Sequence, residues 1–149
     1  MAETQSDQIQ LELVTPEKLM VRDSVLAVSL PGRDGYFGVL PEHAPLLSEL
    51  KPGELSYTQG TVNHYLFVNW GFAEVLPQRV SVLVETSERP EEIDVERATK
   101  ARERAEERLR RAGAGDAEID ALRAQRALQR AMARLEVAQR VASAVGAKN

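Results

Sequence analysis

Apolar and polar residues alternate with a period of two over much of the first part of the chain, a pattern typical of half-buried β-strands. The apolar positions of these runs are Ile9, Leu11 and Leu13, then Leu26, Val28 and Leu30, then Leu66, Val68, Trp70 and Phe72, and finally Val80, Val82 and Val84. Turn-forming residues separate the runs at 31–35, 52–53, 59–60 and 77–78. The pattern predicts an antiparallel β-sandwich, or flattened barrel, of about ten short strands, in which residues 41–50 form an apolar connection between the sheets.

A helical pattern begins at Asp94. Residues 94–112 contain neither Pro nor Gly and are rich in Ala, Arg and Glu. The acid at the start would stabilise a helix by its interaction with the positive end of the helix dipole. The apolar residues are spaced by three or four and form a thin stripe of Ala98, Ala101, Ala105, Leu109 and Ala112. The sequence Gly113-Ala114-Gly115-Asp116 predicts the end of this helix and a tight turn.

A second, longer helix is predicted after the turn. Its apolar residues follow a heptad spacing and are mostly alanine: Ala124, Leu128, Ala131, Leu135, Ala138, Ala142 and Val145. Because alanine side chains let helix axes approach closely, the two stripes predict an antiparallel helical hairpin. Burying alanine removes little apolar area from water, so we expect the hairpin to be weakly held and mobile.

The composition changes where the helices begin. All of the Phe, Tyr and Trp residues precede residue 73. Residues 1–93 carry 6 Lys and Arg against 14 Asp and Glu, whereas residues 94–149 carry 13 against 9. We therefore expect an α+β protein with an acidic β-sandwich domain at 1–88, a linker at 89–93 and a basic two-helix hairpin at 94–149.

Groups that could perform catalysis are sparse. The chain has no cysteine and no GxxxxGK[ST] phosphate-binding loop. His43 and His64 are the only histidines, and neither has the spacing of a metal ligand or a catalytic triad. Asp94 and Glu96 are paired carboxylates, but acids at a helix start usually serve as cap and dipole partners. An enzyme is therefore the least favoured class of function, with no catalytic or metal-binding residue predicted.

The N-terminal sequence gives no sign of export. MAETQSDQ is acidic and polar and lacks the basic start and apolar run of a signal peptide. No stretch of the chain reaches the length of a membrane span. These features favour a soluble protein of the cytoplasm.

Arginines form a row on each predicted helix. Helical spacing places Arg97, Arg104, Arg108 and Arg111 on one side of the first helix and Arg123, Arg126, Arg130 and Arg134 on one side of the second. The simplest interpretation is a solvated face balanced by nearby glutamates. Arginine outnumbers lysine eleven to two after Asp94, however, and a hairpin would bring the rows together around a polyphosphate. Nucleic acid is a weaker candidate, because the chain is net acidic and no aromatic residue lies among the arginines.

Four segments, taken in order, resemble a single family. They are PGRDGYFGVLP at 31–41, HAPLL at 43–47, WGFAEV at 70–75 and IDVERA at 93–98. Over almost its whole length the chain resembles the epsilon subunits of bacterial F-type ATP synthases. The resemblance implies a β-sandwich followed by a two-helix hairpin, in agreement with the pattern of apolar residues.

The resemblance also implies a set of protein partners. The sandwich would bind the gamma subunit of the central stalk and the ring of c subunits through residues 31–47, including Tyr36 and His43. The hairpin would extend along gamma to the alpha and beta subunits and inhibit ATP hydrolysis. Such a subunit is not catalytic, helps to couple proton flow to ATP synthesis, and lies peripherally on the cytoplasmic face of the cell inner membrane.

The Ile-Asp-x-x-Arg-Ala motif at 93–98 resembles the signature of family members that bind one regulatory ATP without hydrolysing it. The resemblance places the nucleotide contacts at Glu88, Ile93, Asp94, Arg97, Ala98, Arg104, Arg130 and Arg134. Two alternatives stay open. Asp94 could simply cap the helix while the arginines pair with protein carboxylates, and the chain could be a free-standing ATP sensor with no synthase involved.

Overall fold

The computed structural model describes residues 7–146, with side chains described as far as Arg140. The chain divides into two compact units, Met1–Ser87 and Glu88–Asn149. The first unit is built from β-strands and the second from helices. The predicted combination of a β-sandwich with a two-helix hairpin is therefore confirmed.

Among the residues that the structure describes, ten strands form one sheet, which belongs to the first unit except for Glu88 at its end. They are β1 (Ile9–Val14), β2 (Leu19–Val25), β3 (Ala27–Gly32), β4 (Gly35–Val39), β5 (Leu46–Leu50), β6 (Gly53–Gln59), β7 (Val62–Val68), β8 (Gly71–Leu76), β9 (Arg79–Val84) and β10 (Ser87–Glu88). Their order is β10-β7-β6-β3-β5-β8-β9-β1-β2, with β4 paired to β3. The described pairs are antiparallel with one exception, the parallel pair of β1 and β9.

The core of the sandwich comes from the inward-facing residues of these strands. Ile9, Leu11 and Leu13 of β1 are buried, as are Val80, Val82 and Val84 of β9. The two strands run in register, with Leu11 opposite Val80. These residues belong to one apolar cluster that also includes residues of β2, β3, β5, β6, β7 and β8. The period-two pattern therefore identified strands that supply the core.

The prediction for residues 41–50 was wrong in its second half. Residues 46–50 form β5, which pairs antiparallel with β8 from Leu46 opposite Val75 to Leu50 opposite Gly71. Only one residue pair, Gly32 with Leu50, joins β5 to β3. The segment does connect two parts of the sheet, as expected, but it does so as a strand. Its exposed Leu46 and Leu47 obscured the alternation.

The run from Leu66 to Phe72 also differs from the prediction. It is divided between β7 and β8 by a corner at Asn69 and Trp70, and the alternation changes phase there. Leu66 and Val68 are buried, but Phe72 is exposed. The Asn69 side-chain oxygen accepts a hydrogen bond from the Trp70 amide at 2.9 Å, which satisfies the backbone at the corner.

The second unit contains a single-turn 3-10 helix at Pro90–Glu92, then α1 (Val95–Gly113) and α2 (Ala121–Gly146). Asp94 is the N-cap of α1, and α1 ends one residue beyond the predicted 112. Gly115 follows with a φ of 94°, a conformation that glycine adopts readily. At the start of α2 the Asp120 carboxylate accepts a hydrogen bond from the Arg123 amide at 3.1 Å. Both helices therefore have a carboxylate cap.

The stripe predicted for α1 is buried in part. Ala98 and Ala105 are buried, and Ala101, Leu109 and Ala112 are half-buried. On α2 the predicted seam has the same character as far as its side chains are described: Ala124 and Ala131 are buried, and Leu128, Leu135 and Ala138 are half-buried. Ala142 and Val145 lie outside the residues whose side chains the structure describes.

One finding departs from the heptad. Ala133 and Val137 of α2 are buried although neither belongs to the predicted seam. They are four residues apart and lie together on another side of α2. The buried surface of α2 is therefore broader than the single seam expected for a coiled coil.

A carboxylate organises the turn between the helices. Asp116 accepts hydrogen bonds from the Glu118 amide at 3.1 Å and from the Arg111 guanidinium at 2.7 Å. The hydrogen bond from the Glu118 amide has the largest effect and the one from Arg111 the next, and both lower the pKa of Asp116. A lowered pKa means that this carboxylate stabilises the turn above its unfolded-chain pKa, and that the contribution is lost as the pH falls through the folded-state pKa.

Within residues 7–146, neither helix is long and apolar enough to cross a lipid bilayer.

We expect Gly71→Ala to destabilise the sandwich, because a Cβ at this position would collide with the carbonyl oxygen of Leu83 and lie 2.7 Å from the Cα of Val84. Both are backbone atoms of the neighbouring strand, so the ladder itself must shift, at a cost of about 1 to 3 kcal/mol. Gly38→Ala is the matched control, because a Cβ there meets no atom within 4 Å. Urea unfolding followed by circular dichroism measures both, and equal stability of the two variants would contradict the packing described for β8 and β9.

Candidate functional site

A polar cavity of about 380 Å³ lies in the helical unit. It is lined by Glu88, Glu92, Asp94, Arg97, Ala98, Ala101, Arg104, Ala127, Arg130, Ala131 and Arg134. These residues come from α1, from α2 and from the segment that precedes α1. The cavity therefore forms only when the two helices and this segment are folded together.

Alanines form the apolar part of the cavity wall. Ala98 and Ala131 are buried, and Ala101 and Ala127 are half-buried. Each ends in a single methyl group, so the space above it is left to a ligand or to longer neighbouring side chains. The same small residues that allow α1 and α2 to approach thus leave the cavity open.

Asp94 sets the beginning of α1. Its Oδ1 accepts a hydrogen bond from the Arg97 amide at 3.0 Å, and its backbone is extended, as in an N-cap. This cap fixes the first turn of α1 and with it the positions from which Arg97 and Ala98 reach the cavity. The expectation that Asp94 caps the helix is confirmed, and the capping residue also lines the cavity.

Arginine charge accumulates in the cavity. Its lining contains four arginines and three carboxylates. Among the described residues, no hydrogen bond or ion pair engages the guanidinium groups of Arg97, Arg104 or Arg130. Each of the three holds five N–H donors in a planar fork that suits carboxylate or phosphate oxygens. The cavity can therefore accept an anion with several oxygens.

The carboxylates of the cavity have different partners. Glu88 Oε1 accepts a hydrogen bond from Arg134 Nε at 2.9 Å. Glu92 Oε2 accepts one from the Arg89 amide at 3.2 Å and so closes the short 3-10 turn. Carboxylates that remain ionised can accept hydrogen bonds from amino or hydroxyl groups of a ligand. The lining thus offers both donors and acceptors.

The structure brings together most of the residues predicted to bind a nucleotide. Seven of the eight line the cavity: Glu88, Asp94, Arg97, Ala98, Arg104, Arg130 and Arg134. The exception is Ile93, which is buried and does not line it. Its amide bonds to the Pro90 carbonyl at 3.3 Å. Ile93 therefore anchors the segment before α1.

Four lining residues were not predicted as site residues. Glu92 is one, and Ala101, Ala127 and Ala131 are the others. Ala101 and Ala131 were predicted only as helix contacts, and Ala127 belonged to neither predicted stripe. Their spacing contained the missing signal, because Ala101 lies three residues after Ala98 and Ala127 lies three residues before Arg130, on the same helix faces.

The arginine rows do not converge on one place. Arg108 and Arg111 line a separate groove along α1 together with Arg97 and Arg104. Arg123 and Arg126 line another near the start of α2, with Asp120 and Leu122. Only the four arginines nearest the open end of the hairpin meet in the cavity of 380 Å³. The rest of the rows is distributed along the helix surfaces.

The two residues predicted to contact partner proteins lie in the sandwich unit. Tyr36 of β4 is 55% exposed, and its hydroxyl accepts a hydrogen bond from the Glu54 amide at 3.0 Å. His43 is half-buried, and its Nδ1 donates to the Ala44 carbonyl at 2.7 Å. Exposed leucines lie close to them in sequence: Leu40, Leu46 and Leu47. Each residue has an internal partner and an accessible surface.

The remaining candidate chemistry has structural explanations. His64 stacks on Tyr57 across β6 and β7, with ring centroids 4.8 Å apart. In the part of the chain that the structure describes, no group of three or more His, Cys, Asp or Glu side chains is arranged to hold a metal ion.

Comparison with known families matches both units. Residues 8–90 match the model for the β-sandwich domain of the ATP synthase delta/epsilon chain. Residues 91–139 match the model for the long α-helix domain of the same chain. The two matches follow each other without a gap.

Individual relatives agree. An ATP synthase epsilon chain of Koribacter versatilis is 53% identical over 108 residues, which are 72% of this chain and 76% of that one. An ATP synthase epsilon chain of Nitratidesulfovibrio vulgaris is 49% identical over 129 residues, 87% and 94% of the two chains. A chain in a structure of the Euglena gracilis mitochondrial ATP synthase, comprising OSCP, F1 and c-ring, aligns with a TM-score of 0.77 at 26% identity, covering 93% of this chain and 85% of that one. Because the family models, the related sequences and the related structure all identify the same subunit, this chain belongs to the epsilon-chain family of ATP synthases.

Proposed function

We propose that this chain is a non-catalytic rotor subunit whose helical hairpin binds one regulatory ATP in the arginine-lined cavity. One observation carries the ATP proposal. Arg97, Arg104 and Arg130 converge on one cavity, and among the described residues none of them has an ion-pair partner there. The cavity stays net positive although three carboxylates also line it, so these guanidinium groups attract an anion with several oxygens.

The lining suits the two parts of a nucleotide. Guanidinium groups bind phosphate oxygens in pairs, and three arginines match the charge and the oxygen-rich surface of a triphosphate. Carboxylates accept hydrogen bonds from the amino group of adenine and from ribose hydroxyls. Glu88 and Asp94 provide such acceptors in the same cavity. In this role ATP would act as a regulatory ligand that is not consumed.

ATP binding would favour the folded hairpin. The cavity draws its walls from α1, α2 and the preceding segment, so a hairpin with separated helices cannot form it. A ligand that binds only the folded form stabilises that form by about 2.7 kcal/mol at a hundredfold excess over Kd. A hairpin held mainly by alanine contacts is responsive to a change of this size.

The rotor role is supported by family membership and by the surface of the sandwich. The Euglena relative was solved in an assembly that contains F1 and the c-ring. In the present chain we propose that Tyr36, His43 and the exposed leucines at 40, 46 and 47 contact the gamma subunit and the c-ring. In this proposed role the chain would lie peripherally on the cytoplasmic face of the inner membrane and would help to couple proton flow to ATP synthesis.

Inhibition of ATP hydrolysis is proposed for the hairpin in its extended form. Residues 94–149 carry 13 Lys and Arg against 9 Asp and Glu, so the hairpin is basic. A basic helix pair is attracted to acidic surfaces of the catalytic alpha and beta subunits. ATP would withdraw the hairpin from them by stabilising the folded form.

We expect Arg130→Ala to weaken ATP binding by about 10-fold to 100-fold, the loss that accompanies removal of a charge-assisted hydrogen bond. Arg123→Ala is the matched control, because Arg123 lies on the same helix, carries the same charge and does not line the cavity. Isothermal titration calorimetry of the purified chains with ATP measures both affinities. Equal losses in the two variants would reduce the cavity to a nonspecific basic surface, and no binding by the unsubstituted chain would remove the ATP proposal altogether.

Removing residues 94–149 tests the rotor and inhibitory roles together. We expect the truncated chain to bind gamma as the full chain does, since the sandwich has its own apolar core. We also expect ATP hydrolysis by the reconstituted synthase to increase, because the inhibitory element is gone. Pull-down with gamma and a steady-state ATPase assay measure the two effects. If the full chain itself does not bind gamma, the result would instead favour a free-standing ATP sensor.

A further inference from the structure

Among the ion pairs described for the helical unit, one joins residues that are far apart in sequence. Glu88 Oε1 and Arg134 Nε are 2.9 Å apart, and each side chain is 28% exposed. The two residues are 46 positions apart in sequence, so the pair connects the segment before α1 with the middle of α2. It lies in the wall of the polar cavity.

The other ion pairs described in this unit are local. Glu107 with Arg110 and Glu96 with Lys100 lie within single turns of α1. Arg111 with Asp116 closes the turn that follows α1. None of these holds one end of the hairpin to α2. Exposed pairs within a helix also contribute little, because solvent screens them and long side chains lose freedom.

From this geometry we infer that the Glu88–Arg134 ion pair is a clasp that holds the nucleotide-free hairpin closed and thereby regulates the proposed ATP site. The pair fixes α2 to the segment before α1 on the side of the hairpin opposite the Asp116 turn. It also neutralises one of the four arginines of the cavity, so that three guanidinium groups without a described ion-pair partner meet there instead of four. Both effects favour the closed form before any ligand binds.

The clasp has a consequence for ATP affinity. When a binding-competent form is only partly populated, the apparent Kd equals the intrinsic Kd divided by the competent fraction. A clasp that raises the closed fraction therefore tightens apparent ATP binding, and this effect adds to the hydrogen bonds that Glu88 or Arg134 itself makes with the nucleotide. This consequence rests on the proposed function, whereas the closure of the nucleotide-free hairpin does not.

A double-mutant cycle tests the clasp in the full-length chain without nucleotide. E88Q removes the negative charge and keeps the size of the side chain, whereas R134Q removes the positive charge and shortens the side chain. The double variant removes both charges. The measurement is amide hydrogen exchange of α2, with the sandwich amides as an internal check of folding. E107Q is the control, because it breaks an ion pair confined to α1 with the same change of charge as E88Q.

We expect E88Q and R134Q each to speed exchange of α2 by about 3-fold to 10-fold, a range typical of coupled partners. The double variant should exchange no faster than the faster single variant, since the same contact is lost in all three. E107Q should leave α2 unchanged, and sandwich amides should be unaffected throughout.

Three results would overturn the inference. These are unchanged exchange in both single variants, a double variant whose acceleration is the product of the two single effects, and α2 amides of the unsubstituted chain that already exchange as fast as an unfolded peptide. The double-mutant cycle is measured without ATP. If the unsubstituted chain does not bind ATP, the proposed function is wrong, but the amide exchange of α2 still tests the clasp.

Discussion

The close approach of α1 and α2 through alanine methyl groups is the constraint on which the helical unit depends. Ala98 and Ala105 of α1 and Ala124 and Ala131 of α2 are buried, and none of them fills much space. Short side chains at the contact let the longer arginines beside them reach into one cavity. Larger apolar residues would hold the helices together more firmly, but they would occupy the space that the cavity requires.

The same constraint sets the energy scale of the hairpin. An alanine methyl buries far less apolar area than a leucine side chain, so each contact contributes little at about 25 cal/mol per Å². The convergence of arginines opposes closure, and the Glu88–Arg134 pair offsets part of that repulsion. The proposed switch needs such a small net free energy of closure, because only then does a ligand or a partner protein shift the hairpin between forms. The sandwich has its own, larger cluster of buried Ile, Leu and Val.

Asp94 shows how a structural and a binding role can coincide. Its side chain caps α1, and this cap determines where Arg97 and Ala98 lie. The same residue lines the cavity, so an acceptor for a ligand is placed by the helix start itself. Sequence reasoning set capping against ligand binding as alternatives. In the structure one carboxylate caps the helix and still faces the cavity.

The sequence allowed most of the fold to be predicted, because strand periodicity and helix stripes are local signals. The inward residues of β1 and β9 followed from the spacing of apolar residues, and the end of α1 followed from the glycines at 113 and 115. The corner at Asn69 and Trp70 could not be found in this way, since an apolar run continues through it while the exposed face changes. β5 was not recognised as a strand, because the exposed Leu46 and Leu47 interrupt the alternation of apolar and polar residues.

The cavity was predictable only in part. Helical spacing and the family motif identified Ala98 and all of its charged residues except Glu92, but not the other three alanines of its wall. An alanine that packs against a helix and one that borders a cavity look the same in sequence, and only the three-dimensional arrangement separates them. The burial of Ala133 and Val137 beside the heptad has the same origin, since it depends on which sides of α2 are covered.

Amide hydrogen exchange of the unsubstituted chain, with and without ATP, decides whether the hairpin opens and whether ATP closes it. We expect α1 and α2 to exchange faster than the strands of the sandwich when no nucleotide is present, and to become protected when ATP is added. Helices as protected as the sandwich core in both conditions would contradict this expectation, because a hairpin that never opens has no equilibrium for ATP to shift.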